Sequence, residues 1–335
     1  MPICLDRELS GVSAGPEYLI GAPYSQFRES DANCLDIGLI NNMPDAALEA
    51  TERQFLALLD AAAGGIVVPL RPYALPDVTR TDSGRQRVRN FYSGLRELWN
   101  SNLDGLIVTG AEPKTADLTA ESYWESLVGV LEWAEHNTYS TVWSCLAAHA
   151  ALLHTDGIRR RALSEKCFGV FQCIQGSDHQ LTAGASRLRM PHSRWNDVPE
   201  NALVECGYRI LTRSEAGVDM FVKQRRSLFV FLQGHPEYET NTLLLEYRRD
   251  IRRFLRRERE IYPPVPRGYF DGKTVEMLAA LRDRALRERN EEFLDHFPRA
   301  GVGGKLTNTW GSAAVCLYRN WLQYMCAEKT QRLNG

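Results

Sequence analysis

The sequence contains no run approaching the eighteen or so apolar residues of a membrane-crossing helix, and its cysteines form no CxxC pair. These absences point away from a helical membrane protein and from the usual zinc-ligand pairs. The eight cysteines, at positions 4, 34, 145, 167, 173, 206, 316 and 326, are also too sparse and irregular for a disulfide framework. The seven histidines are scattered rather than set at i, i+4 on one helix, so no metal site is expected. The N-terminus, MPICLDRELSGVSAG, lacks the basic-then-apolar pattern of a signal peptide, and a cytoplasmic protein with reduced thiols is expected. Charge of one sign is lacking too. Forty Lys+Arg stand against forty-two Asp+Glu, a net charge of -2, which leaves no bulk field to draw a polyanion and makes a nucleic-acid partner unexpected. There is neither an internal repeat nor a low-complexity segment.

What remains is an ordinary globular composition of 335 residues, 44% hydrophobic. At roughly 150 residues per domain this allows about two domains, or one α/β domain with insertions. Residues 34–41 (CLDIGLIN) form a short apolar run ending in a polar turn, which reads as a buried strand. Residues 46–62 carry Leu48, Phe55, Leu56, Leu58 and Leu59 near helical spacing. A strand at 65–70, a helix at 87–99, a strand into a glycine turn at 103–110, a helix at 123–135, a strand at 140–144 and a helix at 146–153 follow. This alternation predicts a mostly parallel sheet with helices on both faces. Beyond Gly169 the pattern loosens into short β-like pieces, until the apolar strand 227–234 runs into His235-Pro236-Glu237. A basic helix at 241–260, a break at Pro263, Pro264 and Pro266, a charged helical stretch at 275–293, a turn with Gly301, Gly303 and Gly304, and a last helix at 313–325 complete the chain. The expected organisation is an N-terminal segment 1–33, a catalytic domain 34–262 and a C-terminal extension 263–335 packed on it.

Cys145 falls at a strand-to-helix junction, the place of a nucleophile elbow. The unpaired amides and positive dipole end at a helix start favour a reactive thiol and offer donors to an oxyanion. His235 follows a buried strand, and Glu237, two residues on along extended chain, points to the same side. Such a carboxylate holds an imidazole in one tautomer, as a general base for a thiol requires. In open α/β sheets, sites gather beyond the carboxyl ends of strands, and both groups lie there. His149, one turn after Cys145, reads as packing beneath its helix.

These residues, with the collinear stretches Asn42-Met43-Pro44, Glu52-Arg53-Gln54-Phe55, Asn90-Phe91-Tyr92, 104–111, Tyr123-Trp124, Leu131-Glu132-Trp133, Glu165-Lys166, Pro191-His192-Ser193-Arg194, 234–238 and Asn320-Trp321-Leu322, resemble the homoserine O-acyltransferases. Those enzymes use succinyl-CoA or acetyl-CoA and are related in fold to class I glutamine amidotransferases (flavodoxin-like). The resemblance runs over roughly residues 35 to 325. It implies Cys145 as acyl-accepting nucleophile, His235 as base and Glu237 as its orienting partner, and the helix start after Cys145 makes the Leu146 N–H an expected oxyanion donor. It also implies that Lys166, Ser193 and Arg249 contact the amino-acid acceptor, L-homoserine in methionine synthesis. Read from the residues alone, Arg249 is one of several solvated helix charges. The resemblance further implies an acyl-CoA co-substrate with no bound cofactor, and a homodimer.

Two departures bear on function. Lysines that usually follow the Met-Pro of the first loop are replaced by Asp45, Ala46 and Ala47. In the donor-selecting loop Glu112, Pro113 and Lys114 replace a Pro-Leu stretch ending in Gly or Glu, so Lys114 is the candidate for acyl-donor selectivity, pairing with a succinyl carboxylate. Rival readings are acylation of another acceptor such as serine, glutamine hydrolysis as in amidotransferases, and a binding protein that kept the fold.

Overall fold

The computed structural model describes residues 3–5, 19–20, 33–185, 187–297 and 306–334. The strands are β1 (Ile3–Leu5), β2 (Leu19–Ile20), β3 (Ile37–Ile40), β4 (Val68–Tyr73), β5 (Gly105–Val108), β6 (Ser140–Ser144), β7 (Arg161–Gln172), β8 (Ile174–Gln175), β9 (Arg189–Asp197), β10 (Arg209–Ser214), β11 (Gly217–Gln224) and β12 (Leu228–Leu232). The helices are α1 (Leu48–Ala63), α2 (Asp82–Phe91), α3 (Leu95–Trp99), α4 (Trp124–Asn137), α5 (Leu146–Asp156), α6 (Glu200–Glu205), α7 (Thr242–Leu255), α8 (Gly272–Arg287) and α9 (Gly311–Asn334).

Ten strands form one sheet in the order β2-β1-β4-β3-β5-β6-β12-β11-β10-β8. Pairing is parallel from β2 through β12 and antiparallel from β12 to β8. Strand alternation sorts the core into two layers. Ile107, Val142 and Val230 face a layer with Phe55 and Leu59 of α1, whereas Val108, Trp143 and Phe231 face one with Leu98, Leu131 and Ala148. The parallel centre is therefore covered on both faces, as its near-continuous apolar strands require. Helix α9 lies beside α1 on the first face, burying Leu317, Trp321, Leu322 and Met325 in the same layer. Trp321 Nε1 donates to Ser140 Oγ at 2.8 Å, which ties the C-terminal helix to the strand that leads into Cys145.

The structure corrects several element boundaries. The helix expected at 87–99 is interrupted. Tyr92 is extended, its hydroxyl meets Asn41 Nδ2 at 2.9 Å and the Glu52 carboxylate, and Ser93 N–H donates to Pro72 O at 2.9 Å. Helical bonding ends with Tyr92 N–H on Val88 O at 2.9 Å, and tertiary hydrogen bonds take over from the Tyr92 side chain and Ser93 onward. The short pieces expected beyond Gly169 are preceded and overlapped by one twelve-residue strand, β7, which begins at Arg161 and pairs with β9 in a separate antiparallel ribbon. The basic helix stops at Leu255, the charged stretch divides into α8 and a 3-10 turn at Glu291–His296, and the last helix is longer than expected. The turn at Gly301, Gly303 and Gly304 lies outside the described residues. Among the described residues no helix is long and apolar enough to cross a membrane.

Candidate active site

Parallel strands β6 and β12 are adjacent, with Ser144 opposite Leu232, so whatever follows each strand emerges at the same sheet edge. Cys145 follows β6, and the Gln233-Gly234-His235 turn follows β12. Cys145 adopts φ 51° and ψ -111°, a conformation that costs a non-glycine residue on the order of 1–3 kcal/mol. Its N–H donates to Leu232 O at 2.7 Å, which pins the strained residue to the neighbouring strand. α5 starts at once with Leu146, whose amide belongs to the first turn, where helical N–H groups have no partner within the helix.

His235 is buried, its N–H bonded to Pro191 O at 2.8 Å. Nδ1 lies 2.7 Å from Glu237 Oε1, and the other partner of the ring is the Cys145 thiol, in hydrogen-bonding contact. Burial by itself would lower the imidazole's proton affinity. The Glu237 carboxylate and the Cys145 sulfur more than offset it and hold His235 well above the ordinary histidine range. Tyr238 stacks on the ring, centroids 4.4 Å apart and planes 14° from parallel. Its hydroxyl donates to Glu246 Oε1 at 2.9 Å, and burial keeps the phenol neutral. The histidine is thus fixed by a carboxylate in its plane and an aromatic plate on its face. His149 packs beneath, fully buried, with Nε2 3.0 Å from Gln233 Oε1 and its pKa pushed down to about 4 by burial.

Ribbon β7–β9 brings the expected acceptor contacts beside this group. Phe168 pairs with Ser193, and Pro191, two residues before Ser193, holds the His235 backbone. Lys166 is buried, lies 3.9 Å over the Phe168 ring and makes a 2.6 Å ion pair with Asp250. Phe168 also meets Tyr247 of α7, centroids 6.1 Å apart. Arg249 is exposed and donates from Nε to Asp250 Oδ1 at 3.0 Å. Lys166, Arg249 and Asp250 therefore form one chain of charges, with Ser193 on the adjoining ribbon position. Lys114 stands farther out on the β5–α4 loop, its Nζ donating to Thr79 Oγ1 at 2.8 Å. Its backbone, with Thr115, is anchored on buried Glu121 Oε1 at 2.6–2.7 Å.

Two residues of this region, Arg80 and Arg160, escaped the sequence reading, and two more, Gly110 and Tyr238, fell within matched stretches without an assigned role. Arg80 lays a buried guanidinium across the first loop, donating to Asn41 O and Met43 O at 3.1 Å and pairing with Asp45 at 3.0 Å. A cation thus braces the loop whose lysines are replaced, delivered from a distant segment. Arg160 carried no local signal, Tyr238 had one only as the end of the matched stretch 234–238, and Gly110 had one as the glycine closing a strand. A Cβ on Gly110 would overlap the Leu146 side chain and come within 2.8 Å of Ala147 N. Gly110→Ala should therefore displace the start of α5, costing about 1–3 kcal/mol of stability as overpacking and a larger share of the activity. Thermal melts with parallel turnover assays check this, and unchanged turnover in a destabilised variant would count against it.

Among the described residues no group of three or more His, Cys, Asp or Glu side chains could hold a metal ion. A family model described as homoserine O-succinyltransferase matches residues 3–332. A homoserine O-succinyltransferase of Rhodopseudomonas palustris is 46% identical over 303 residues, covering 90% of this chain and 91% of that protein. Another, from Thioalkalivibrio nitratireducens, is 38% identical over 296 residues, covering 87% and 83%. Among solved structures, a glutamine amidotransferase from Methylobacillus flagellatus is similar with a TM-score of 0.49 at 13% identity, covering 87% of this chain and 95% of that one.

Proposed function

The chain belongs to the homoserine O-succinyltransferase family, and from that premise we propose that it moves a succinyl group from succinyl-CoA to the hydroxyl of L-homoserine through a thioester on Cys145. The observation that carries the reading is the strained Cys145 at the start of α5 with His235 in contact and Glu237 behind it.

In the first half-reaction His235 takes the thiol proton as Sγ attacks the thioester carbonyl carbon of the donor. The carbonyl oxygen becomes an oxyanion held by backbone N–H groups, Leu146 among them. Collapse breaks the carbon–sulfur bond to CoA, whose sulfur leaves with the proton from His235. In the second half-reaction His235 accepts the homoserine hydroxyl proton as that oxygen attacks the Cys145 thioester. Cys145 then departs and regains the proton. Lys166 and Arg249 supply positive charge for the acceptor's carboxylate, Asp250 keeps both side chains in place, and Ser193 lines the same pocket. Lys114 occupies the donor-selecting position on the β5–α4 loop.

Intact-protein mass spectrometry after brief exposure to succinyl-CoA without acceptor tests this reading. One succinyl adduct is expected, located on Cys145 and discharged on adding homoserine. An adduct that persists with homoserine but clears with another hydroxy amino acid would replace the acceptor. No adduct from either succinyl-CoA or acetyl-CoA would overturn the mechanism.

A further inference from the structure

The reaction assigned above leaves one problem of recognition unexplained. A succinyl donor differs from an acetyl donor by a carboxylate at the far end of a short chain. A cation close to the nucleophile, on the side of the donor loop, selects that difference by attraction. Lys114 is on that loop, but its ammonium is turned to Thr79 at an exposed position.

Arg160 occupies the intervening ground. It stands in the segment between α5 and β7, and its Nη2 donates to Ala116 O of the donor loop at 3.2 Å. Among the described residues the enclosed Nη1 has no hydrogen-bond partner, which for a guanidinium is a costly arrangement unless something completes it. The same side chain interacts electrostatically with the Cys145 sulfur, with Tyr123 and with Glu121, the carboxylate that anchors residues 114 and 115. The side chain thus spans from the selecting loop towards the nucleophile.

We infer that Arg160 is a specificity-determining residue that binds the distal carboxylate of the succinyl group, both on the donor and on the Cys145 thioester. The inference rests on the acyl-transfer reading above and adds to it the group that reads the acyl chain. Arg160 has an uncommitted guanidinium nitrogen, a hydrogen bond to the loop and an electrostatic interaction with the sulfur. A planar guanidinium suits a carboxylate through paired N–H donors, which an ammonium does not reproduce.

The test is the ratio of kcat/KM with succinyl-CoA to that with acetyl-CoA, measured for the full chain and for Arg160→Ala, Arg160→Gln, Arg160→Lys and Lys114→Ala. Losing a hydrogen bond to a charged group should lower the ratio about 10- to 100-fold in Arg160→Ala and Arg160→Gln, with Arg160→Lys between these and the parent. Lys114→Ala should move the ratio less than either. A ratio constant within twofold across the Arg160 variants overturns the inference, as does a selective fall confined to Lys114→Ala. Uniform loss with both donors would mark Arg160 as a structural brace and overturn it too. Failure of the underlying reading looks different, because the parent protein would then form no Cys145 adduct from either donor.

Discussion

Replacing Cys145 by alanine should abolish acyl transfer, by at least about 10^4-fold in kcat/KM, because the covalent route has no other nucleophile at that position. The fold should survive. The residue lies at φ 51°, where alanine is no more strained than cysteine, and the pinning bond to Leu232 O belongs to the backbone. The helix that follows is secured by buried Ala147, Ala148, Ala151 and Leu152, none of which contributes to the chemistry. Released CoA thiol measures the turnover, and a thermal melt within a few degrees of the parent shows that the loss is chemical. Retention of more than about one part in a hundred of the activity would exclude a Cys145 thioester as an obligatory intermediate.

The second large effect is expected at His235. Its exchange for asparagine removes the group that takes the proton in both half-reactions, and a loss of about 10^2- to 10^4-fold is expected for a positioned base. Because Cys145 and His235 act as one unit, the double variant should be scarcely worse than Cys145→Ala alone, whereas independent contributions would multiply. Glu237 supplies the matching pH signature. Its charge raises the proton affinity of His235 against the effect of burial, so in Glu237→Gln the imidazole should lose its proton at a lower pH than in the parent. An NMR titration of labelled histidine measures this directly. An unchanged or raised midpoint would mean that Glu237 does not support the charged ring, whatever its 2.7 Å approach.

The elements legible in the sequence were those whose signals are local. Strand β6, its junction at Cys145 and helix α5 follow from β-branched residues running directly into small helix formers. The parallel sheet follows from alternating strands and helices; the His235–Glu237 contact was expected from two-residue spacing on extended chain, whereas residues 235–238 form a turn closed by Tyr238 N–H on His235 O at 3.2 Å. The interruption at Tyr92 was not legible, because residues 87–99 suit a helix locally and the competing partners Asn41, Glu52 and Pro72 lie far away in the chain.

Site residues divide in the same way. Cys145, His235 and Glu237 announce themselves by position in local patterns, and family resemblance adds Lys166, Ser193 and Arg249. The resemblance does not show why a buried lysine is tolerable. That is decided by Asp250, 84 residues along the chain and 2.6 Å from its ammonium, since a buried charge is stable only beside its counter-charge. The cation missing from the first loop was sought at residues 45–47 and arrives as Arg80. Gly110 is required by the backbone of a helix that starts 36 positions later. The sequence by itself determined the layered α/β fold and singled out Cys145 and His235 as candidate nucleophile and base, because each falls directly after a strand whose local pattern is legible. Only the tertiary structure decided which charges meet and which loop is braced. Those contacts join segments whose separation in the chain leaves no periodic trace, and at such distances pairing is set by packing and electrostatics in three dimensions.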